Sequence, residues 1–115
     1  MTNEILEVES SSRDGLEIVR VRGEVDIASA PILWLEVEQA IARGDGIVID
    51  LSEVSFLDST GLGVLVSARN AVEQADRLIS FDLVVSSPHL HKLLDITGLT
   101  PLFRIHPTLS AACER

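Results

Sequence analysis

The sequence predicts an α/β domain with a mixed sheet of four or five strands and helices mainly on one side. Short apolar runs rich in β-branched residues alternate with segments of helical periodicity, in the order β-β-α-β-α-β-α-β-α. The chain also opens with two strands in a hairpin-like arrangement, before any helix. A chain of 115 residues with 46% hydrophobic content can bury a core of its own, so residues 1–115 are expected to form one domain.

The first two elements are predicted to form a β-hairpin. Residues 4–9 alternate loosely between apolar and polar side chains, as an edge strand does. Asp14-Gly15 is a usual pair for a hairpin turn. Residues 16–22 alternate in the same way and predict a second strand with one solvated face, which residues 23–26 close.

A helix and a buried strand follow the hairpin. Ser29 is a plausible N-cap and Pro31 suits a first turn, so a helix is predicted from about residue 30 to 43. Residues 46–51 are a β-branched apolar run interrupted only by Asp50, which is typical of a buried strand. A short linker is expected after this strand.

The second helix begins at a cluster of capping residues. Asp58, Ser59 and Thr60 precede an apolar helical pattern, so a helix is predicted from about residue 59 to 75. Its core arc consists of Gly61, Val64, Leu65, Ala68, Val72 and Ala75. A separate outer ridge consists of Ser59, Leu62, Gly63, Val66 and Asn70. The expected exposed strip of Leu62 and Val66 either docks another protein or packs against a neighbouring loop.

The last third of the chain predicts two strands and two helices. Ser87 followed by Pro88 is a strong helix start, because a capping residue is followed by proline in the first turn. The predicted elements are a strand over residues 79–85, a helix from about 88 to 97, a short strand over 102–105 and a brief helix from 107 to about 113.

Charge and composition restrict the kinds of partner. The formal net charge is −9, and the chain has no tyrosine. An acidic surface repels nucleic acid and anionic membranes, and base stacking needs aromatic residues, so neither partner is expected. No apolar stretch approaches the length of a membrane span and the N-terminus lacks a signal-peptide pattern, which predicts a cytoplasmic protein. The expected partner is another protein.

No set of catalytic or metal-binding residues is predicted. His89 and His91 point in different directions on a helix and His106 is distant in sequence, so no metal site is expected. Ser59 lacks the G-x-S-x-G pattern of a hydrolase nucleophile, and Gly61-Leu62-Gly63 is only a fragment of a nucleotide-binding fingerprint. We therefore expect a protein that is not an enzyme and that has no metal or cofactor.

Three sequence blocks resemble a known family. They are Gly23-Glu24-Val25-Asp26 with Ser29-Ala30, then Asp50-Leu51 through Phe56-Leu57-Asp58-Ser59-Thr60-Gly61-Leu62-Gly63, and Ser87-Pro88 through Leu93-Leu94-Asp95-Ile96-Thr97-Gly98-Leu99. From about residue 5 to 113, the chain resembles the STAS domain, and specifically the bacterial anti-sigma factor antagonist family. The middle block is the most specific of the three. The chain departs from the family at Ala75-Asp76-Arg77, where members often have a glycine pair.

The resemblance implies a partner-switching cycle that regulates transcription, as in stress responses. The unphosphorylated antagonist binds an anti-sigma factor that is itself a serine kinase, and the sigma factor is released. The kinase phosphorylates the serine that matches Ser59, with Thr60 a less favoured acceptor, and a PP2C-type phosphatase resets the protein. In the family, the aspartates that match Asp26 and Asp58 lie close to this serine. The residues expected to contact the partner are Asp26, Asp58, Ser59, Thr60, Gly61, Leu62, Gly63, Val66 and Asn70.

Electrostatics agrees with Ser59 as a switch, although two alternatives stay open. A phosphate adds about −1.5 to −2 charges at pH 7. The dipole at a helix N-terminus favours this charge. Beside the carboxylates of Asp26 and Asp58, however, the added charge would weaken the contact with a partner. One alternative is a constitutive STAS subunit of a signalling scaffold or lipid-transport complex, in which Ser59 is never phosphorylated. The other is a small nucleotide-hydrolysing enzyme that uses Ser59 or the glycine turn. The sequence leaves the oligomeric state undecided.

Overall fold

The computed structural model describes residues 5–114 of the chain. Within them it contains one sheet of five strands and four α-helices, so the predicted fold class is confirmed. The strands are β1 (Glu7–Arg13), β2 (Leu16–Val25), β3 (Gly46–Leu57), β4 (Ser80–Val84) and β5 (Arg104–His106). The helices are α1 (Ala30–Arg43), α2 (Ser59–Gln74), α3 (Pro88–Ile96) and α4 (Leu109–Cys113), and a 3₁₀ turn spans Thr100–Leu102.

The strands lie in the sheet in the same order as in the chain. β1 and β2 form an antiparallel hairpin around Asp14 and Gly15, whose φ angles of 51° and 85° are the left-handed conformations that a two-residue hairpin turn requires. From β2 to β5, neighbouring strands run parallel. Because parallel strands share one direction, the carboxyl ends of β2 and β3 lie at the same edge of the sheet as the N-termini of α1 and α2.

The helices cover the two faces of the sheet unequally. On one face, residues of α1, α2 and α3 form the main core, whose largest fully buried side chains include Leu33, Ile47, Ile49, Leu51, Leu65, Leu83 and Leu94. On the other face, α4 contributes to a small cluster that consists of Leu16, Ile18, Val48, Val84 and Ala112. The prediction that the helices lie mainly on one side is confirmed.

The limits and exposure of the first two strands differ from the prediction. β1 begins at Glu7 rather than at residue 4, which lies outside the described residues. β2 continues to Val25, so residues 23–25 extend the strand instead of closing it. The expected solvated face of β2 is partly covered, since Glu17 is only 5% exposed.

β3 shows the largest difference between prediction and structure. It was predicted to end at residue 51, but it runs on to Leu57 and replaces the expected linker. Its second half pairs with β2 after an irregularity in register, so the strand continues where polar residues interrupt the apolar run. β4 is one residue shorter than predicted at each end. β5 begins at Arg104 because a 3₁₀ turn occupies Thr100–Leu102.

Helix limits agree better with the prediction. α1 spans the predicted residues, and α2 begins at Ser59 as predicted. α3 begins at Pro88, and the side chain of its N-cap Ser87 accepts a hydrogen bond from Leu90 N at 3.3 Å. α4 begins at Leu109, because the Thr108 side chain is its N-cap. Capping residues mark these starts locally, so the sequence reveals them.

Candidate functional site

The carboxyl ends of β2 and β3 lie side by side. Val25 and Leu57 are the last paired residues of the two strands, and Asp58 N donates a hydrogen bond to the Val25 carbonyl at 3.3 Å. The next residue after each strand is an aspartate, so the sheet brings Asp26 and Asp58 to neighbouring positions. We refer to residues 26–29 and 58–63 together as the carboxyl end of the sheet.

Asp58 is the N-cap of α2. Its backbone is extended (φ −98°, ψ −172°), and its Oδ1 accepts hydrogen bonds from Thr60 N at 2.9 Å and from Gly61 N at 3.0 Å. These bonds satisfy N–H groups that a helix start otherwise leaves unpaired. Ser59 is thereby fixed at the first helical position. Its side chain is exposed there, at the end of the helix where the dipole favours negative charge.

Asp26 organises the loop that leads into α1. Its Oδ1 accepts hydrogen bonds from Ala28 N at 3.1 Å and from Ser29 N at 3.0 Å, and Ser29 Oγ lies 3.0 Å from the same oxygen. The hydrogen bonds from the backbone and side chain of Ser29 lower the pKa of Asp26 below its ordinary value of 3.8. The carboxyl end therefore holds an ionised carboxylate at neutral pH.

Ser29 occupies the N-cap position of α1, as predicted, but it does not cap the helix with its side chain. Ser29 has a helical backbone conformation, and its side chain makes no capping bond to α1. Its Oγ instead accepts a hydrogen bond from Asp26 N at 3.0 Å. The Asp26 carbonyl accepts the first backbone bond of the helix, from Ala30 N at 2.8 Å. Ser29 therefore shapes the loop around Asp26.

The two glycines in the first turn of α2 have opposite surroundings. A Cβ added to Gly61 would lie 2.5 Å from Leu57 Cδ1 and 3.0 Å from Val25 Cγ1, so this turn packs directly against the strand ends. A Cβ added to Gly63 would meet no atom of the described residues within 4 Å. Gly63 thus leaves an open surface about one turn beyond Ser59.

Leu62 contradicts the expected outer ridge of α2. It is 7% exposed and belongs to the main core, so the prediction that it forms an exposed strip with Val66 is wrong. Leu62 and Arg69 are seven residues apart and share one flank of the helix. Further along this flank, Arg69 Nε donates to the Leu102 carbonyl at 2.8 Å. Leu62 is therefore a core residue of α2 and not part of an exposed docking strip.

The predicted contact residues differ in how much surface they offer. Ser59, Gly63 and Asn70 are exposed, Asp26, Asp58, Thr60 and Val66 are half-buried, and Gly61 and Leu62 are buried. Their contact with a partner stays a prediction.

Two exposed apolar side chains near the carboxyl end were missed by sequence reasoning. Ile27, directly after Asp26, is 77% exposed, and Phe56, two residues before Asp58, is 48% exposed. Phe56 lies opposite Glu24 at the end of the β2–β3 pairing. The signal in the sequence is that Ile27 is an apolar residue in the short loop between Asp26 and the start of α1. Both add apolar surface beside the two carboxylates.

Two of the three histidines make contacts with groups other than Ser59. His91 Nε2 lies 3.0 Å from the Val85 carbonyl, and His106 Nε2 lies 2.8 Å from Asp82 Oδ1. Among residues 5–114, no three His, Cys, Asp or Glu side chains are grouped so that they could hold a metal ion. In the same part of the chain, no helix is long and apolar enough to cross a bilayer.

Comparison with known proteins gives consistent matches. Residues 7–112 match the family model of the STAS domain. The anti-sigma-B factor antagonist of Listeria monocytogenes is 40% identical over 103 residues, which cover 87% of this chain and 86% of that protein. The anti-sigma F factor antagonist of Paenibacillus polymyxa is 33% identical over 104 residues, which cover 89% and 85%.

Solved structures agree with these matches. An anti-sigma factor antagonist from Mycobacterium paratuberculosis superposes with a TM-score of 0.85 at 32% identity, over 94% of this chain and 91% of that one. The antagonist SpoIIAA in its unphosphorylated form superposes with a TM-score of 0.72 at 23% identity, over 94% and 92%, and shares the fold. The chain therefore belongs to the STAS domain family, among the bacterial anti-sigma factor antagonists.

Proposed function

We propose that this protein is an anti-sigma factor antagonist whose binding to an anti-sigma factor is switched by phosphorylation of Ser59. The relatives that are 33–40% identical have that name and are regulatory proteins rather than enzymes. In the proposed cycle, the unphosphorylated protein binds an anti-sigma factor with serine-kinase activity, and the sigma factor is released. Phosphorylation ends this binding, and a PP2C-type phosphatase restores it.

The position of Ser59 is the observation that supports the proposal most directly. Its side chain is exposed, and within residues 5–114 it has no hydrogen-bond partner. A kinase can therefore reach its oxygen without opening the fold. In contrast, Thr60 is half-buried one position further along α2, which makes it the poorer acceptor.

The proposed phosphoryl transfer changes the charge of the carboxyl end. The Ser59 oxygen forms a bond to the γ-phosphorus of ATP, the bond from that phosphorus to ADP breaks, and the hydroxyl proton passes to a base of the kinase. The helix dipole favours the new charge, but Asp26 and Asp58 already make this surface negative. A partner that fits the neutral hydroxyl would then meet a bulky anion, so it dissociates without refolding of the antagonist. A phosphorylated structure with α2 unwound would contradict this mechanism.

The test is the intact mass, with fragment mapping, of the protein purified from its own host in stressed and unstressed growth. One phosphate on Ser59 whose occupancy differs between the two conditions is the expected result. A phosphate on Thr60 alone would contradict the assignment of the switch to Ser59. An unmodified protein in both conditions would favour the constitutive subunit.

Binding to the anti-sigma factor gives a second measurement. Ser59→Glu is expected to weaken this binding by at least about tenfold, since it places a negative charge at a tight interface. Ser59→Ala should still bind. Ser67→Glu adds the same charge at an exposed position two turns along α2 and is the matched control. Equal effects of both glutamates would rule out a specific role for position 59.

A further inference from the structure

The two edges of the sheet are unequal. β1, at one edge, is a strand of seven residues without glycine or proline, whereas β5, at the other edge, has only three residues. An unpaired edge strand presents a row of N–H and C=O groups to which another strand can bind. β1 is therefore the edge that offers a long ladder to a partner.

The hairpin turn determines which residues of β1 face outward. In a hairpin with a two-residue turn, the residues that flank the turn form a hydrogen-bonded pair, here Arg13 and Leu16. The pattern alternates along an antiparallel strand, so Val8, Ser10 and Ser12 direct their backbone groups to the free edge. A second strand would thus find its hydrogen-bonding groups centred on Ser10.

Charged side chains form a row of alternating sign that ends at β1. Glu53 of β3 lies opposite Arg22 of β2, and Arg22 lies opposite Glu7 of β1. Arg22 Nε and Glu53 Oε2 are 2.9 Å apart. The row therefore reads negative, positive, negative, and Glu7 is its exposed last member. A further strand that placed a cation beside Glu7 would continue the alternation.

We propose that two copies of this protein pair through β1, antiparallel and centred on Ser10, so that Arg13 of one copy lies beside Glu7 of the other. A two-fold axis at Ser10 uses all seven residues of each strand and forms the Glu7–Arg13 contact twice. The same register places Glu9 opposite Ser11 and Val8 opposite Ser12. No like charges of β1 then lie directly opposite each other, and the result is one continuous sheet across both copies.

One pair of like charges opposes this association. Ser10 Oγ donates to Glu36 Oε2 of α1 at 3.0 Å, so the two copies of Glu36 would approach each other near the axis. Two paired edge strands also bury less surface than a stable dimer interface does. The dimer is thus expected to be weak and to exchange rapidly. Ser59 is outside the pairing, so this proposal is independent of the proposed function.

The first test is sedimentation velocity of the full chain at rising protein concentration. Arg13→Glu places like charges in both symmetric contacts and is expected to weaken the dimer by about tenfold or more. Lys92→Glu makes the same change in net charge at an exposed position of α3 and should leave the dimer unchanged. Glu36→Gln removes the opposing charge and should strengthen it.

The second test is to mix two variants. Arg13→Glu and Glu7→Arg each disfavour their own homodimer, but a heterodimer of the two has opposite charges in both contacts. The mixture is therefore expected to pair at concentrations at which each variant alone is monomeric. Three results would overturn the proposal: a wild-type protein that stays monomeric throughout, equal effects of Arg13→Glu and Lys92→Glu, or a mixture that fails to pair.

Discussion

The two ends of the sheet are held together in different ways. At the carboxyl end, Asp26 and Asp58 bind backbone N–H groups only two or three residues further along the chain. The opposite, amino end comprises residues 14–17, 41–46 and 77–80, and its contacts join separate elements. Arg77, for example, follows α2 and donates hydrogen bonds to two carbonyls at the C-terminus of α1.

Several further bonds tie the amino end across the sheet. Asp45 N donates to the Gly15 carbonyl at 2.9 Å, and Ser80 N donates to the Asp45 carbonyl at 3.3 Å, so the starts of neighbouring strands are linked. Glu17 of β2 binds Arg43 of α1 at 2.9 Å. The side-chain caps of Asp26 and Asp58 shape the carboxyl end locally, whereas the side-chain contacts of Glu17 and Arg77 join separate elements. Recognition and stability should therefore be separable in this fold.

The largest expected effect is at Glu17. This side chain is 5% exposed and accepts hydrogen bonds from Arg43 and Ser12. Glu17→Ala should lower the free energy of unfolding by about 2 kcal/mol, less than for a fully buried pair because half-exposed Arg43 can be hydrated. Urea unfolding measures the change, with Glu38→Ala on the exposed face of α1 as the control. A loss no larger than that of the control would contradict the role of the amino end.

Acid should reveal the same contact. Burial by itself raises the pKa of Glu17, but the hydrogen bonds from Ser12 and Arg43 outweigh it and lower the pKa below 4.5. A carboxyl group whose pKa falls on folding adds stability above its unfolded pKa and loses it as the pH falls through the folded value. The wild-type protein should therefore lose stability below pH 4.5 more steeply than Glu17→Ala does. Parallel pH curves, measured by urea unfolding, would count against this assignment.

Arg77 should have the next largest effect. Its guanidinium donates to the Gly44 carbonyl at 2.7 Å and to the Ile41 carbonyl, groups that a helix end leaves unpaired. Arg77→Ala is expected to destabilise the fold by about 1–2 kcal/mol, and Arg77→Lys, which retains a single donor group, by less. Thermal and urea unfolding provide the measurement. A wild-type stability of Arg77→Lys would show that packing of the stem, rather than capping by the guanidinium, matters.

The parts of this fold that the sequence predicts are those determined by neighbouring residues. Asp14-Gly15 marks the hairpin turn, and Ser87-Pro88 marks a helix start, because in each case the cause lies within a few residues. The continuation of β3 to Leu57 has a non-local cause, since its second half is held by pairing with β2 after a shift in register. Periodicity within β3 alone does not contain that information.

The residues of the candidate site likewise fall into those that the local sequence predicts and those that it does not. Asp58 and Ser59 are predictable because a cap and the first helical residue are local features. Leu62 lies outside the predicted core arc but is buried in the main core, which joins residues of several elements, so periodicity within α2 alone does not show its burial. The exposure of Ile27 and Phe56 follows no helical or strand pattern in the sequence. Their position near the same two aspartates is visible only in the folded carboxyl end.

Substitutions of Asp58 test whether the capping bonds of the carboxyl end stabilise the fold less than the contacts of the amino end do. Asp58→Ala removes the acceptor of the Thr60 and Gly61 N–H groups and should cost about 1 kcal/mol. Asp58→Asn retains an oxygen acceptor without the charge, so its stability should stay close to that of the wild-type protein. Urea unfolding of both variants separates the cap from the charge. If Asp58→Ala loses more free energy of unfolding than Glu17→Ala does, the carboxyl end stabilises the fold more than the amino end.

Ser59 should have the smallest effect on stability. Its side chain is exposed, so Ser59→Glu should change the free energy of unfolding by less than about 0.5 kcal/mol, with slight stabilisation because the helix N-terminus favours negative charge. Added salt should reduce that stabilisation, since it screens the dipole. A loss of more than about 1 kcal/mol in urea unfolding would mean that a charge at Ser59 acts by disturbing α2. If stability is retained and binding to the anti-sigma factor is lost, the charge acts at the interface itself, and the fold can accept its own inactivation without unfolding.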